Sequence, residues 1–147
     1  MVGLIYPVNN EDAEDAVIMK KVYTIGTSNL TMDEFYSKLM DNKIQTLVDI
    51  RSHPTSRYSR FKQENLTSFC LGHDIEYLWM GDLLGGFQDM PFKEYIKTEP
   101  FAEGIKKLKE YTDTRNIVMC CSEKDYKKCH RRYISNELSN DYNMIHV

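Results

Sequence analysis

The sequence predicts an α/β fold: a single three-layer domain on a mainly parallel sheet of about five strands, with helices on both faces. Three observations lead there. Short runs of apolar and β-branched residues recur along the chain, and helical patterns separate them, an alternation expected of parallel strands joined by right-handed crossovers. The length, 147 residues, is near the commonest domain size and long enough for one real core. The composition, 41% hydrophobic and 28% charged, is ordinary for a globular chain, and no internal repeat points to an array.

The first strand is read at residues 22–27, "VYTIGT". Then "TMDEFYSKLMDNK" opens with a capping box, Thr31 at the N-cap and Glu34 three residues on, followed by Phe35, Leu39 and Met40 at helical spacing. "IQTLVDIRS" is the second strand, with Asp49 and Arg51 near its end. After the loop "HPTSRYSRFKQE" comes a short helix over residues 65–73 that buries Leu66, Phe69 and Cys70. "IEYLWM" is the third strand and "GDLLGGFQDMP" a glycine-rich loop. The helical stretch at 92–113 is interrupted at Pro100, which lacks an amide and clashes with the preceding turn. "NIVMCC" is the fourth strand, "YKKCHRRYISNELSN" a helix, and "NMIHV" a final strand.

Charge divides the chain. Residues 1–18 hold Glu11, Asp12, Glu14 and Asp15 and no base; without those four acids, 19 basic residues face 18 acidic ones, a net +1 against −3 for the whole. This segment is read as a disordered acidic N-terminal extension, with residues 19–147 forming the α/β domain and Met19 a candidate native start. The remaining positive charge is bunched in "RSHPTSRYSRFK" and "EKDYKKCHRR", which suggests a focused anion site more than a broad nucleic-acid surface. No apolar run approaches the ~20 residues that span a bilayer, and no secretory core precedes the domain. The expectation is a cytoplasmic protein without membrane attachment, monomeric or weakly homodimeric. Its four cysteines are then reduced thiols rather than a disulfide framework.

In an open parallel sheet, ligands bind beyond the carboxyl ends of the strands. That rule gathers Gly26 to Ser28, Asp49 to Arg51, and Cys121 to Glu123 along one rim. Each group has a bland and a sharp reading. Cys120, Cys121, Cys129 and His130 lack the paired spacing of structural zinc sites, and neighbours on one helix point about 100° apart, so no metal is predicted. Cys121 is the candidate nucleophile, ending a strand before a helix start that Ser122 caps, with Asp125 at N3. Against this, the loop lacks the arginine of a cysteine phosphatase and the glycine of a sulfur-transfer loop, and both cysteines suit a strand packing on opposite faces. His130 is an acid/base or a solvated helix start. Asp49 and Arg51 share a face, as joint ligands of a substrate or as a structural ion pair. Arg57 and Arg60, interleaved with Tyr58 and Phe61, clamp a phosphate while a ring stacks on a base, or are solvated loop charges.

Taken together, "YTIGTS", "LVDIRSHPTSRYSRF", "IEYLWMGDLLGG" and "CSEKDYKKCHRRYIS" resemble the successive motifs of the domain of unknown function 488 family, from about residue 22 to the end. The most specific are the D-x-R-x-x-P-x-S-R and C-x-E-x₅-C-H-R runs. The resemblance implies an α/β fold and brings no reaction, substrate or cofactor with it.

The leading reading is an enzyme, a hydrolase or group transferase, acting on a phosphate-bearing small molecule or nucleic-acid end. Asp49, Cys121, Glu123 and His130 are the catalytic candidates. Gly26, Ser28, Arg51, Arg57, Arg60 and Arg131 are the anion-binding ones, and no cofactor is predicted. Alternatives are a nucleotide- or nucleic-acid-binding module without turnover, and a zinc-stabilised scaffold. As rim charges, Arg51 and Arg131 are expected to be replaceable by alanine without loss of the fold.

Overall fold

The computed structural model describes residues 19–147; the acidic segment 1–18 lies outside the described residues. Five strands form one all-parallel sheet in the order β3-β2-β4-β1-β5: β1 (Lys21–Gly26), β2 (Thr46–Asp49), β3 (Glu76–Trp79), β4 (Ile117–Cys121) and β5 (Asn143–His146). Every strand read from the sequence is present, and the three central ones are buried along nearly their whole length. A parallel strand covered on both faces needs apolar residues at successive positions, which "IVMCC" supplies.

Two cores lie on opposite faces of this sheet. On one, Tyr23, Ile25, Leu47, Val118 and Cys120 meet Phe35 and Leu39 of α1 (Met32–Asp41) and Leu66 and Cys70 of α2 (Gln63–Gly72). On the other, Val22, Val48, Met119 and Cys121 meet α5 (Glu99–Thr114) and α6 (Arg131–Leu138), with two short helices, α3 (Gly81–Leu84) and α4 (Phe92–Tyr95), tucked beside them. The domain is therefore three-layered. Cys120 and Cys121 divide between the cores because successive strand residues face opposite ways.

The capping box at Thr31 and Glu34 forms as expected, with both reciprocal hydrogen bonds. The break near Pro100 is also there: α4 ends at Tyr95, and a new helix follows Thr98, with Pro100 in its first turn. Two readings need correction. The stretch read as a glycine-rich loop contains α3, whose last turn closes through the Gly85 amide on the Gly81 carbonyl. The final helix does not run from residue 126; a single 3₁₀ turn, Tyr126–Lys128, comes first, and α6 starts at Arg131. Asp125 caps that turn by accepting from the Lys127 amide, whereas Ser122 is exposed and caps nothing. No helix among the described residues is long and apolar enough to cross a membrane.

This topology fixes where loops can meet. The chain leaves β1 and β2 for helices on one face and leaves β4 for α6 on the other. Because β4 lies between β2 and β1, the loops after adjacent strands part to opposite sides. A crevice at such a point is where open parallel sheets hold ligands.

Candidate functional site

The crevice between the end of β2 and the end of β4 is a cavity of about 340 Å³, whose walls include Arg51, His53, Phe87, Glu123, Cys129 and His130. Its distinctive group is Cys129. Between the 3₁₀ turn and α6 the backbone at Cys129 is extended, φ −123° and ψ 153°, so the residue is not part of a helix. The extended step puts the Cys129 sulfur 3.5 Å from Nδ1 of the next residue, His130, a contact that two neighbours on a helix would not make. The amide of Arg131, at the start of α6, donates to the same sulfur at 3.4 Å, and the Cys121 sulfur lies 2.8 Å away.

These contacts assign roles to the protons. His130 Nε2 lies 3.0 Å from the carbonyl oxygen of Ile50, which can only accept, so Nε2 carries hydrogen and Nδ1 is the nitrogen placed to take the Cys129 proton and, once protonated, to donate to the thiolate. The Cys121 thiol, donating to Cys129, holds the Cys129 thiolate far below the ordinary thiol range; burial opposes this, and His130 and the Arg131 amide assist. For Cys121 the same hydrogen bond, with burial, pushes the thiol well up. Of the two, Cys129 is half-buried and Cys121 buried, and the opposed shifts favour Cys129 as the sulfur that ionises. The sequence pattern C-x-E-x₅-C-H-R contains the signal. Taking Cys129 and His130 as one helix turn hides it.

Asp49 and Arg51 meet each other. Both are buried, and two parallel 2.8 Å bonds join the guanidinium to the carboxylate. Nη1 of Arg51 also donates to the carbonyls of Thr55 and Phe61, and the Tyr77 hydroxyl donates to Asp49 Oδ2 at 2.6 Å. Burial works against the Arg51 charge, but its bonds to Asp49 outweigh this and raise its pKa. Arg51 thus forms part of the cavity wall with most donors already engaged, while Asp49 sits behind it. Arg131, 1% exposed, donates to Thr24 Oγ1 and to the carbonyls of Glu123 and Lys124, but among the described residues no carboxylate pairs with it and its buried Nε has no partner. That guanidinium ties the loop after β4 onto β1.

Glu123 is exposed at the lip and accepts from the Asp125 amide. A second crevice of about 420 Å³, on the β1 side of β4, is lined by Ser28, Asn29, Ser56, Arg57, Tyr58 and Ser122. Arg57 is exposed there; Arg60 is pinned to the carbonyls of Asn29 and Leu30 with its guanidinium 4.6 Å above the Tyr58 ring. The amides of Thr27 and Ser28, expected to cradle an anion, instead donate to the carbonyls of Cys121 and Ser122. Gly26 is required by closeness of backbone: a Cβ there would lie 1.8 Å from the Glu123 carbonyl oxygen. Gly86 plays a like part beside His130, where a Cβ would come within 3.0 Å of Nδ1. Among the described residues, no cluster of three or more His, Cys, Asp or Glu side chains is placed to hold a metal ion.

The family model described as "Domain of unknown function DUF488" matches residues 31–91 and 87–138, and the chain belongs to that family. The cavity residues Arg51, Phe87, Glu123, Cys129 and His130 lie within the matched ranges; the β1 turn at Gly26 to Ser28 precedes them. No curated protein and no solved structure matches the chain.

Proposed function

We propose that this family member is a thiol-dependent hydrolase or group transferase, with Cys129 as nucleophile and His130 as its base, acting on a phosphate-bearing or otherwise anionic substrate. The observation that carries the reading is the environment of the Cys129 sulfur: a thiol, an imidazole nitrogen and a backbone amide converge on it at the edge of a cavity. A weak nucleophile flanked by a correctly tautomerised base, itself oriented by a carbonyl, is the general arrangement for covalent catalysis. His130 takes the thiol proton through Nδ1 and returns it to the leaving group, held in orientation by Ile50.

Attack at carbon suits this site better than attack at phosphorus. The Arg51 guanidinium is engaged by Asp49 and two carbonyls, and Arg131, 1% exposed, is turned to Thr24 and the loop after β4 rather than to the cavity, which leaves no preorganised cradle for a phosphoryl group next to the thiolate. The anionic part of the substrate is better placed in the neighbouring crevice beside Arg57, which shares Ser122 with the catalytic cavity. A second reading, nucleotide binding without turnover, is favoured by the ledge of Arg57 and Arg60 over Tyr58 in that crevice.

The two readings part in one experiment. The full chain is incubated with nucleotides, cyclic nucleotides and acyl phosphates, and both products and mass gain on the Cys129 peptide are followed. Turnover lost in Cys129→Ser and reduced in His130→Asn supports the thiol enzyme. Saturable nucleotide binding with no turnover supports the binding module, and turnover that survives Cys129→Ser removes the nucleophile assignment.

A further inference from the structure

We infer that Cys121 and Cys129 form a dithiol–disulfide couple, in which Cys129 attacks a low-molecular-weight disulfide and Cys121 resolves the adduct. The inference rests on sulfur geometry and shares only the nucleophilic Cys129 with the function proposed above. The two sulfurs are 2.8 Å apart, too close for any group to stand between them. Closing that gap to a bond of about 2.05 Å needs a movement of less than an ångström. One partner lies on β4 and the other eight residues on, in the extended step before α6; the Cys129 amide donates to Tyr126 and its carbonyl accepts from the Arg132 amide, so the closure asked of the two sulfurs is a side-chain movement.

The remaining cysteines offer no competing partner of this kind. Cys120, although adjacent in sequence, points into the opposite core, and Cys70 lies in that same opposite core under α2. The pairing is therefore specific to 121 and 129. Access is unequal as well: both cysteines line the cavity, but Cys129 is half-buried there and Cys121 only 2% exposed. That asymmetry sets an order of events, outer sulfur first and inner sulfur second.

Atoms and electrons balance in two exchanges. The Cys129 thiolate attacks one sulfur of the small disulfide, breaking its S–S bond and releasing one small thiolate, which takes from His130 the proton that Cys129 had given it. A mixed disulfide now sits on Cys129, and the Cys121 thiol no longer has a thiolate to donate to. Cys121 loses its proton to His130 or the departing thiolate and attacks the Cys129 sulfur. The bond from Cys129 to the small group breaks, and a second small thiol leaves. The protein dithiol has lost two electrons and two protons, and the small disulfide has gained them. While the bond persists, Cys129 cannot act as a nucleophile, so the couple would also gate the thiol chemistry of the site.

The test uses the full chain and glutathione disulfide, with intact-mass and peptide mass spectrometry. The expected product is a chain lighter by two hydrogens with a Cys121–Cys129 cross-link, reversed by dithiothreitol. Cys121→Ser should instead stop at a stable one-glutathione adduct on Cys129, and Cys129→Ser should show no adduct. Persistent glutathionylation of Cys129 in the unsubstituted chain, a cross-link involving Cys70 or Cys120, or no reaction would each overturn the inference. Because the unsubstituted chain is read by mass alone, the outcome does not depend on how the variants fold. The separation from the proposed function is also clean: a cross-link that forms in a protein without turnover keeps the couple and removes the enzyme.

Discussion

A guanidinium at 4% exposure, bonded twice to a carboxylate at 0%, does not behave as a pair of rim charges. Desolvation of each ion has to be offset by the other, and removing one partner leaves an uncompensated charge, at a cost of about 3–5 kcal/mol. Arg51→Ala should therefore lower unfolding free energy by about that amount in urea titrations, in place of the fold-neutral effect expected from a surface reading. A loss under ~1 kcal/mol, the range of exposed pairs, would contradict the buried-pair account. That Asp49 and Arg51 share a face is legible from their spacing; that they satisfy each other is not. A side chain's partner depends on the loop folded over it, here Thr55 and Phe61, and on Tyr77 from the neighbouring strand. Cys129 illustrates the same limit. Its residue type and its His130 neighbour are visible in the motif, but its direction is set by a single extended backbone step.

Among the elements, the ends of β1 and β4 are held together more tightly than their strand lengths require. The ladder from Tyr23–Val118 to Gly26–Cys121 continues past both strands through the bonds from Thr27 and Ser28 to Cys121 and Ser122. Arg131 then clamps the carbonyls of Glu123 and Lys124 from behind. Gly26 lets the two backbones meet, and there is no flexible side chain to yield if a methyl is added. Gly26→Ala should cost about 1–3 kcal/mol or more, seen as a lower melting temperature. It should also slow alkylation of Cys129, because Ser122 and Glu123 of the displaced segment line the cavity that gives access to the sulfur. An unchanged melting temperature would show that the loop is free to move. Strands and long helices can be read in advance because periodicity and caps are local: the Thr31–Glu34 box appears where the residues put it, and the helix break comes between Tyr95 and Glu99, just ahead of Pro100. The start of α6 and the short α3 depend on backbone packing around glycines and on a 3₁₀ turn, and no period announces those.

Across the whole molecule, the crevices follow from strand order. β4 stands between two strands whose exit loops go to the other face, so a cleft opens on each side of its end. β2 and β4 pair directly, Asp49 opposite Cys120, which brings their ends together on one rim. One cleft carries the thiol and imidazole, the other the arginine and tyrosine, with Ser122 common to both. The central claim is that the first cleft holds an activated thiolate at Cys129. It is tested most directly by alkylating the native full chain with iodoacetamide across a pH series and measuring the rate at each cysteine by mass spectrometry. Because the Cys129 thiolate is stabilised, it survives as pH falls through the range where an ordinary thiol, pKa about 8.5, becomes protonated. The account predicts that Cys129 labels first and keeps most of its rate down to pH ~6.5, where an ordinary thiol is only about 1% thiolate. Cys70, whose pKa burial pushes up to about 12, should stay silent with Cys120 and Cys121. His130→Asn should move the Cys129 profile toward higher pH. A Cys129 rate that tracks an ordinary thiol, or a Cys121 that labels before it, would contradict the account.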